Sequence, residues 1–250
     1  MQPQRRPHAQ RTWRVGAQPD PGTVVTMSLA RRSGMIGRVL RAAGRPPLIF
    51  VLGSQRSGTN VLRQSLSLDP WVRGFNEHPS NRLYQDWKLR PEPEIRGFLR
   101  RQPGTVLLKP IRSVIDRPVG EFLAEFAAYR YTVAWIYRDP VLVFASRRKR
   151  WSYLDDVDRF VEEWNRINRS ALDARDERMV VVRYGDLTAS RDLFAALCGR
   201  LGVHGEYLFR GDAGRGHADV AAADVERIRS ATARTCADLD RARGFVPSVT

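Results

Sequence analysis

LIFVLGSQRSGTN, residues 48–60, runs from an unbroken apolar stretch straight into a turn with glycine at each end, Gly53 and Gly58. An apolar run of this length, stopped by glycine, reads as a short strand buried on both faces. Beyond the turn, Val61, Leu62, Leu66 and Leu68 recur at helical spacing. Strand, glycine turn and helix together set successive backbone N–H groups at a helix N-terminus, facing an anion. Glycine at both ends permits the tight turn and a close approach of backbone to ligand. A magnesium-dependent triphosphatase loop needs Lys at position 59 and Ser or Thr at position 60. Those positions hold Thr59 and Asn60, and the cation is Arg56, inside the loop. Such a cradle suits a donor less charged at its reacting end than a triphosphate.

Three more apolar blocks, at 105–108, 132–137 and 179–184, read like the first: continuous rather than alternating. Strands buried on both faces have this look, and they belong to a parallel sheet covered by helices. Between them lie stripes of helical period. Phe122, Leu123, Phe126 and Ala127 form one. Leu154, Val157, Phe160, Val161, Trp164 and Ile167 form another, which reads as core packing. Leu193, Phe194, Leu197 and Leu201 form a third, and residues 224–243 read as a terminal helix. The alternation predicts an α/β fold with an open, mainly parallel central sheet flanked by helices.

A chain of 250 residues with 42% hydrophobic content and six Trp can bury one sizeable core. The net charge of +15 is unevenly placed: residues 1–47 hold nine Arg against one acid, Asp20. We therefore expect a basic, disordered leader over 1–46 and one folded domain over 47–247. Met27 and Met35 offer later starts. Nucleic-acid attachment and organelle targeting are the competing readings of the leader, though no amphipathic helix emerges from it. The leader lacks the apolar stretch of a secretory signal, and no run in the chain approaches a membrane span. Cys198 and Cys236 make neither a disulfide framework nor a zinc site. A soluble cytoplasmic protein is the default expectation.

A second anion site is foreshadowed by RDPVLVFAS, residues 138–146. Arg138 ends a strand, where open α/β sheets bind ligands. Pro140 suits the first turn of a helix, and Ser146 lies about two turns along it. A planar guanidinium with a hydroxyl donor is suited to phosphate; a surface Arg138–Asp139 pair is the plainer alternative.

Taken together, PLIFVLGSQRSGT (47–59), WIYRDPVLVFAS (135–146) and VVRYGDL (181–187) resemble the sulfotransferases that use 3′-phosphoadenosine 5′-phosphosulfate, PAPS. The resemblance spans roughly residues 47–190. It implies a P-loop-like sulfotransferase fold, with Gln55, Arg56, Ser57, Gly58, Thr59 and Asn60 around the 5′-phosphosulfate. Arg138 and Ser146 would hold the 3′-phosphate, and Tyr184 would lie near the adenine. RSGTNVLRQSLSLDPWVRGFNEHP, residues 56–79, further resembles the tyrosylprotein sulfotransferase-like branch. There the closing Glu is the general base, which falls on Glu77, and a strand-end Lys falls on Lys109. Cytosolic members use His instead, which makes His78 the local alternative.

The implied reaction is sulfuryl transfer to a hydroxyl, or less readily an amine, of a small-molecule, saccharide or peptide acceptor, leaving adenosine 3′,5′-bisphosphate. No metal is required. Charge moves onto the leaving phosphate in a loose transition state, where Arg56 and Lys109 would stabilise it. The sequence departs from the family at Gly185, where many members carry Glu. The glycine-rich C-terminal 3′-phosphate motif is absent in recognisable form; Arg215 in GDAGRGHADV, 211–220, is a loose substitute, and a surface loop is the alternative. Tyr84, Trp87, Trp151 and Tyr153 fall where an acceptor pocket could be lined. Arg147, Arg148, Lys149 and Arg150 would either attract an anionic acceptor or form a solvated helix face. The competing classes are a P-loop kinase or NTPase, disfavoured by Thr59 and Asn60, and a nucleic-acid-binding protein driven by the basic charge.

Overall fold

The apolar blocks become four neighbouring strands of one parallel sheet, because each must hide both faces. The computed structural model describes residues 45–78, 80–151, 156–210 and 220–244. Most of the expected leader, Tyr153 and Arg215 lie outside the described residues. The strands are β1 (Leu48–Leu52), β5 (Thr105–Lys109), β6 (Tyr131–Tyr137) and β7 (Met179–Arg183), joined at one edge by β2 (Val72–Asn76). Their order is β2-β5-β1-β6-β7, and every pairing is parallel. β2 was not expected. Arg73 and Gly74 interrupt its apolar character, and as an edge strand it has only one neighbour to satisfy. Two short antiparallel strands, β3 (Tyr84–Gln85) and β4 (Lys88–Leu89), form a separate hairpin.

Alternation along β1 divides the core. Ile49 and Val51 face one side with Leu62 and Leu66 of α1 (Thr59–Ser67) and Leu193, Phe194 and Leu197 of α8 (Arg191–Leu201). Leu48, Phe50 and Leu52 face the other side, where Phe50 meets Phe122 and Phe126 at ring-centroid distances of 5.4 and 5.0 Å. That second layer includes α2 (Glu92–Arg100), α3 (Ile111–Asp116) and α4 (Val119–Ala124). It also includes α5 (Pro140–Arg150), α6 (Val157–Asp173) and α9 (Ala222–Arg241). Trp164 of α6 is 1% exposed and belongs to this core, as the helical stripe predicts. Trp135 donates its indole N–H to Asn168 Oδ1 at 3.1 Å, so the buried polar pair is satisfied.

Local chemistry starts and stops the elements. Asp139 accepts from the N–H groups of Val141 and Leu142 and caps α5, with Pro140 in its first turn. Ser190 caps α8, and Gly202 at φ 68° ends it. β7 stops at Arg183, so Tyr184 opens a short helix, α7 (Tyr184–Ala189), rather than ending the strand. From central β1 the chain moves to β2 and β5 on one side, then to β6 and β7 on the other. The carboxyl end of β1 is therefore the switch point of the sheet, where open α/β folds form their crevice. Among the described residues, no helix is long and apolar enough to cross a membrane.

Candidate functional site

The loop between β1 and α1 is built from left-handed backbone: Gly53 at φ 151°, Arg56 at φ 70° and Gly58 at φ 103°. A Cβ on Gly53 would stand 2.1 Å from the Ile136 carbonyl oxygen, and one on Gly58 would stand 2.2 Å from Tyr184 Cδ2. Both glycines are thus demanded by close packing as well as by φ. Ser57 closes the loop from below. Its hydroxyl donates to the Ser54 carbonyl at 2.7 Å, its N–H to the same oxygen at 3.3 Å, and the residue is fully buried. No side chain caps α1, and its first turn holds no acid. The positive end of the helix is left for an anion.

Guanidinium groups gather around this loop. Arg56 Nε donates to Ser146 Oγ at 2.9 Å, which ties the β1–α1 loop to α5. Arg138 Nη1 comes within 3.5 Å of the Arg56 carbonyl oxygen, and its Cζ lies 4.8 Å from the centre of the Tyr184 ring. The same Tyr184 ring is the one a Gly58 side chain would strike. Burial lowers the Arg56 pKa, and the positive charges of Arg150 and then Arg138 push it lower still. Arg56 is held where added negative charge would be welcome.

Across the switch point, β2 and β5 pair in the register Asn76↔Lys109, which brings Glu77 beside Lys109. Lys109 Nζ lies 2.8 Å from Glu77 Oε2, and the backbone N–H of Arg112, in the first turn of α3, donates to Oε1 at 2.6 Å. Both carboxylate oxygens are held, and both side chains are largely buried. Tyr84 supports the pair from beneath. Its hydroxyl accepts from the Lys109 N–H at 3.2 Å. Burial, and next the negative charge of Glu77, push its phenol well above the ordinary range. Tyr84 is therefore a neutral brace and does not line the open space.

A cleft of about 1180 Å³ joins the two halves. Of the sequence-predicted residues it brings together Gln55, Arg56, Gly58, Thr59 and Asn60 from the loop, Glu77 with Lys109, Arg138 with Ser146, and Tyr184. Trp87 and Trp151 also line it. Ser57 and Tyr84 lie beneath the surface, and His78 stands outside the lining, its Nδ1 2.7 Å from Ser80 Oγ. The arginine run of α5 is divided in the structure. Arg147 is 7% exposed, pairs with Glu163 at 2.8 Å and lies over the Phe160 ring, whereas Lys149 and Arg150 are exposed. Arg112 and Asp86 line the cleft too; nothing in their local sequence marks them, since Arg112 acts through its backbone.

No protein-family model and no curated protein sequence matches the chain. Solved structures do. The sulfotransferase domain of the Synechococcus PCC 7002 olefin synthase is 19% identical with a TM-score of 0.53, over 81% of this chain and 97% of that one. The sulfotransferase domain from the curacin biosynthetic pathway is 17% identical with a TM-score of 0.53, over 78% and 98%. A sulfotransferase from Alicyclobacillus acidocaldarius is 16% identical with a TM-score of 0.54, over 81% and 98%. At these identities the likeness is one of architecture, and the architecture of this chain is the sulfotransferase fold.

Proposed function

We propose that the protein transfers a sulfuryl group from PAPS to a hydroxyl of a small-molecule or saccharide acceptor, with Glu77 as general base and no metal. The observation that carries this reading is the convergence of three features in one cleft. They are the glycine loop with its uncapped helix, the Arg56–Arg138 pair beside Ser146, and the Glu77–Lys109 ion pair. When bound, the donor supplies a sulfuryl group on a 5′-phosphate leaving group and carries a second anion, its 3′-phosphate.

The residues present fit such a molecule. The glycines let the loop pack against Ile136 and Tyr184 in its left-handed conformation, and the uncapped start of α1 leaves backbone N–H groups for a phosphate. Loop N–H groups and Arg56 would hold the 5′ end and stabilise charge gathering on it; one such donor is worth about 3 kcal/mol, ~10²–10³ in rate. Arg138, stacked on Tyr184, and the Ser146 hydroxyl would hold the 3′-phosphate. The Arg56–Ser146 hydrogen bond uses the Arg56 Nε–H and a Ser146 lone pair, which leaves the Ser146 O–H and the Arg56 Nη groups to donate to the phosphates. Lys109 neutralises the transferring group while keeping the Glu77 carboxylate oriented. Glu77 takes the acceptor proton through a lone pair that Lys109 and the Arg112 N–H leave available. A carboxylate is a far weaker base than an alkoxide, so it acts as the hydroxyl proton becomes acidic during transfer.

Thermal shift tests the donor. Adenosine 3′,5′-bisphosphate at a hundredfold excess over its Kd should stabilise by about 2.7 kcal/mol, a rise of roughly 5–10 °C in Tm, without magnesium. Stabilisation by magnesium-ATP and none by the bisphosphate would overturn the reading in favour of a nucleotide triphosphatase. A PAPS-coupled acceptor screen then supplies the acceptor.

A further inference from the structure

One wall of the cleft is left unused by donor binding: the tip of the β3–β4 hairpin. The pairing Tyr84↔Leu89 and Gln85↔Lys88 leaves two turn residues, Asp86 at φ 50° and Trp87 at φ 66°. Two successive left-handed residues make the tight hairpin turn that ordinarily selects Asn-Gly. A bulky aromatic there is an outlier, because its Cβ crowds the backbone. The indole recovers little through burial, being 53% exposed.

The stem leaves the tip no alternative. Tyr84 is locked by the Lys109 N–H, and the Leu89 N–H donates to Ser113 Oγ at 2.9 Å. The Arg90 N–H donates to the Leu83 carbonyl at 2.9 Å, and Lys88 pairs with Asp116 at 2.6 Å. The His78 ring packs edge-on to the indole at 6.4 Å. The ring so positioned lines the same cleft as Thr59 and Glu77. Strain held by an over-determined frame, on a side chain that serves cleft rather than core, is the signature of a site.

We infer that Trp87 is the acceptor platform: its indole takes the flat face of a ring-bearing alcohol, either an aromatic ring or the C–H face of a sugar, and so delivers a ring hydroxyl to Glu77. His78 thereby becomes a positioning residue for the indole. This rests on the sulfotransferase reading, and the test separates the two. Native protein, Trp87→Gly and Trp87→Phe are compared for Tm, for the shift caused by adenosine 3′,5′-bisphosphate, and for PAPS-dependent KM and kcat. The acceptors are 2-naphthol, methyl β-glucoside and 1-hexanol, which part aromatic, saccharide and ringless alcohols.

Glycine relieves the left-handed strain, so Trp87→Gly should melt no lower than the native protein and keep the bisphosphate shift. Its KM for the ring alcohol that is used should rise at least about tenfold, with kcat changed less than about threefold, and Trp87→Phe should recover most of the loss. A Tm several degrees lower in Trp87→Gly would make the indole structural and overturn the inference. So would an unchanged KM, native turnover of 1-hexanol equal to that of the ring alcohols, or a bisphosphate shift in native protein with no transfer to either ring alcohol. A native protein that neither responds to the bisphosphate nor transfers from PAPS to any acceptor overturns both readings.

Discussion

The two sides of the cleft are made in different ways. Most of the donor side hangs on the interior strands β1 and β6, each paired with a strand on either side, and its loops follow them within a residue or two, while Tyr184 follows edge strand β7. Apart from Lys109 at the end of interior strand β5, the acceptor side hangs on edge strand β2, on a short hairpin and on a single turn at the start of α3. Central strands impose backbone geometry, so donor recognition can be written in glycines and a few arginines. Edge elements impose little, so the acceptor side is held by side chains that brace one another: Tyr84 under Lys109, Lys109 on Glu77, His78 against Trp87.

If the two sides are separable, a change on one should spare the other. Glu77→Gln should reduce kcat by about 10²–10⁴ while the bisphosphate-induced Tm shift survives; steady-state transfer beside a melting curve checks it, and normal turnover would break the division. Gly58→Ala should do the opposite. Its methyl meets Tyr184 Cδ2 and so displaces the ring on which Arg138 rests. With the left-handed φ added, the cost is roughly 1–3 kcal/mol, and calorimetry should show bisphosphate affinity down by at least about tenfold. Arg138→Lys keeps the charge but loses the planar stack. It should narrow the preference for adenosine 3′,5′-bisphosphate over 5′-AMP by about tenfold, read from paired titrations. Tyr84→Phe is the mildest. It strands the Lys109 N–H at a cost of about 1–3 kcal/mol, seen in denaturant unfolding, with acceptor KM unmoved because the phenol faces no acceptor.

The same division governs what could be read from the sequence. LIFVL, VLL, VAWIY and MVVV announce their strands because burial on both faces forces continuous apolar runs. VRGFN does not, since only Val72 of it is buried and its partly open faces tolerate Arg73 and Gly74, whereas β7, the other edge strand, is buried over Met179–Val182. The hairpin is silent because Asp86-Trp87 lacks the Asn-Gly signal, its geometry being imposed by the stem. Tyr84 looks like a pocket aromatic until burial and the Lys109 N–H make it a brace. Arg147 reads as one of four surface cations because its partner, Glu163, arrives from the next helix. Short helices α2, α3 and α7 leave little periodicity to detect. Arg56, Arg138 and Ser146 are legible as anion ligands, whereas the Arg56–Ser146 hydrogen bond that joins loop to helix appears only in three dimensions.

The register Asn76↔Lys109 has a last consequence, for length variation. Glu77 follows the final rung of the β2–β5 ladder, so its side is set by counting residues along β2. Removing one residue within 72–76 would turn Glu77 to the opposite face and separate it from Lys109. Residues 80–82 lie outside every strand and should absorb a gained or lost residue far better, whereas Leu83 is buried and held by the Arg90 N–H. A single-residue deletion scan across 70–84, scored for transfer, should therefore change character beyond His78: loss up to it, better survival over 80–82, and loss again from Leu83 into the hairpin.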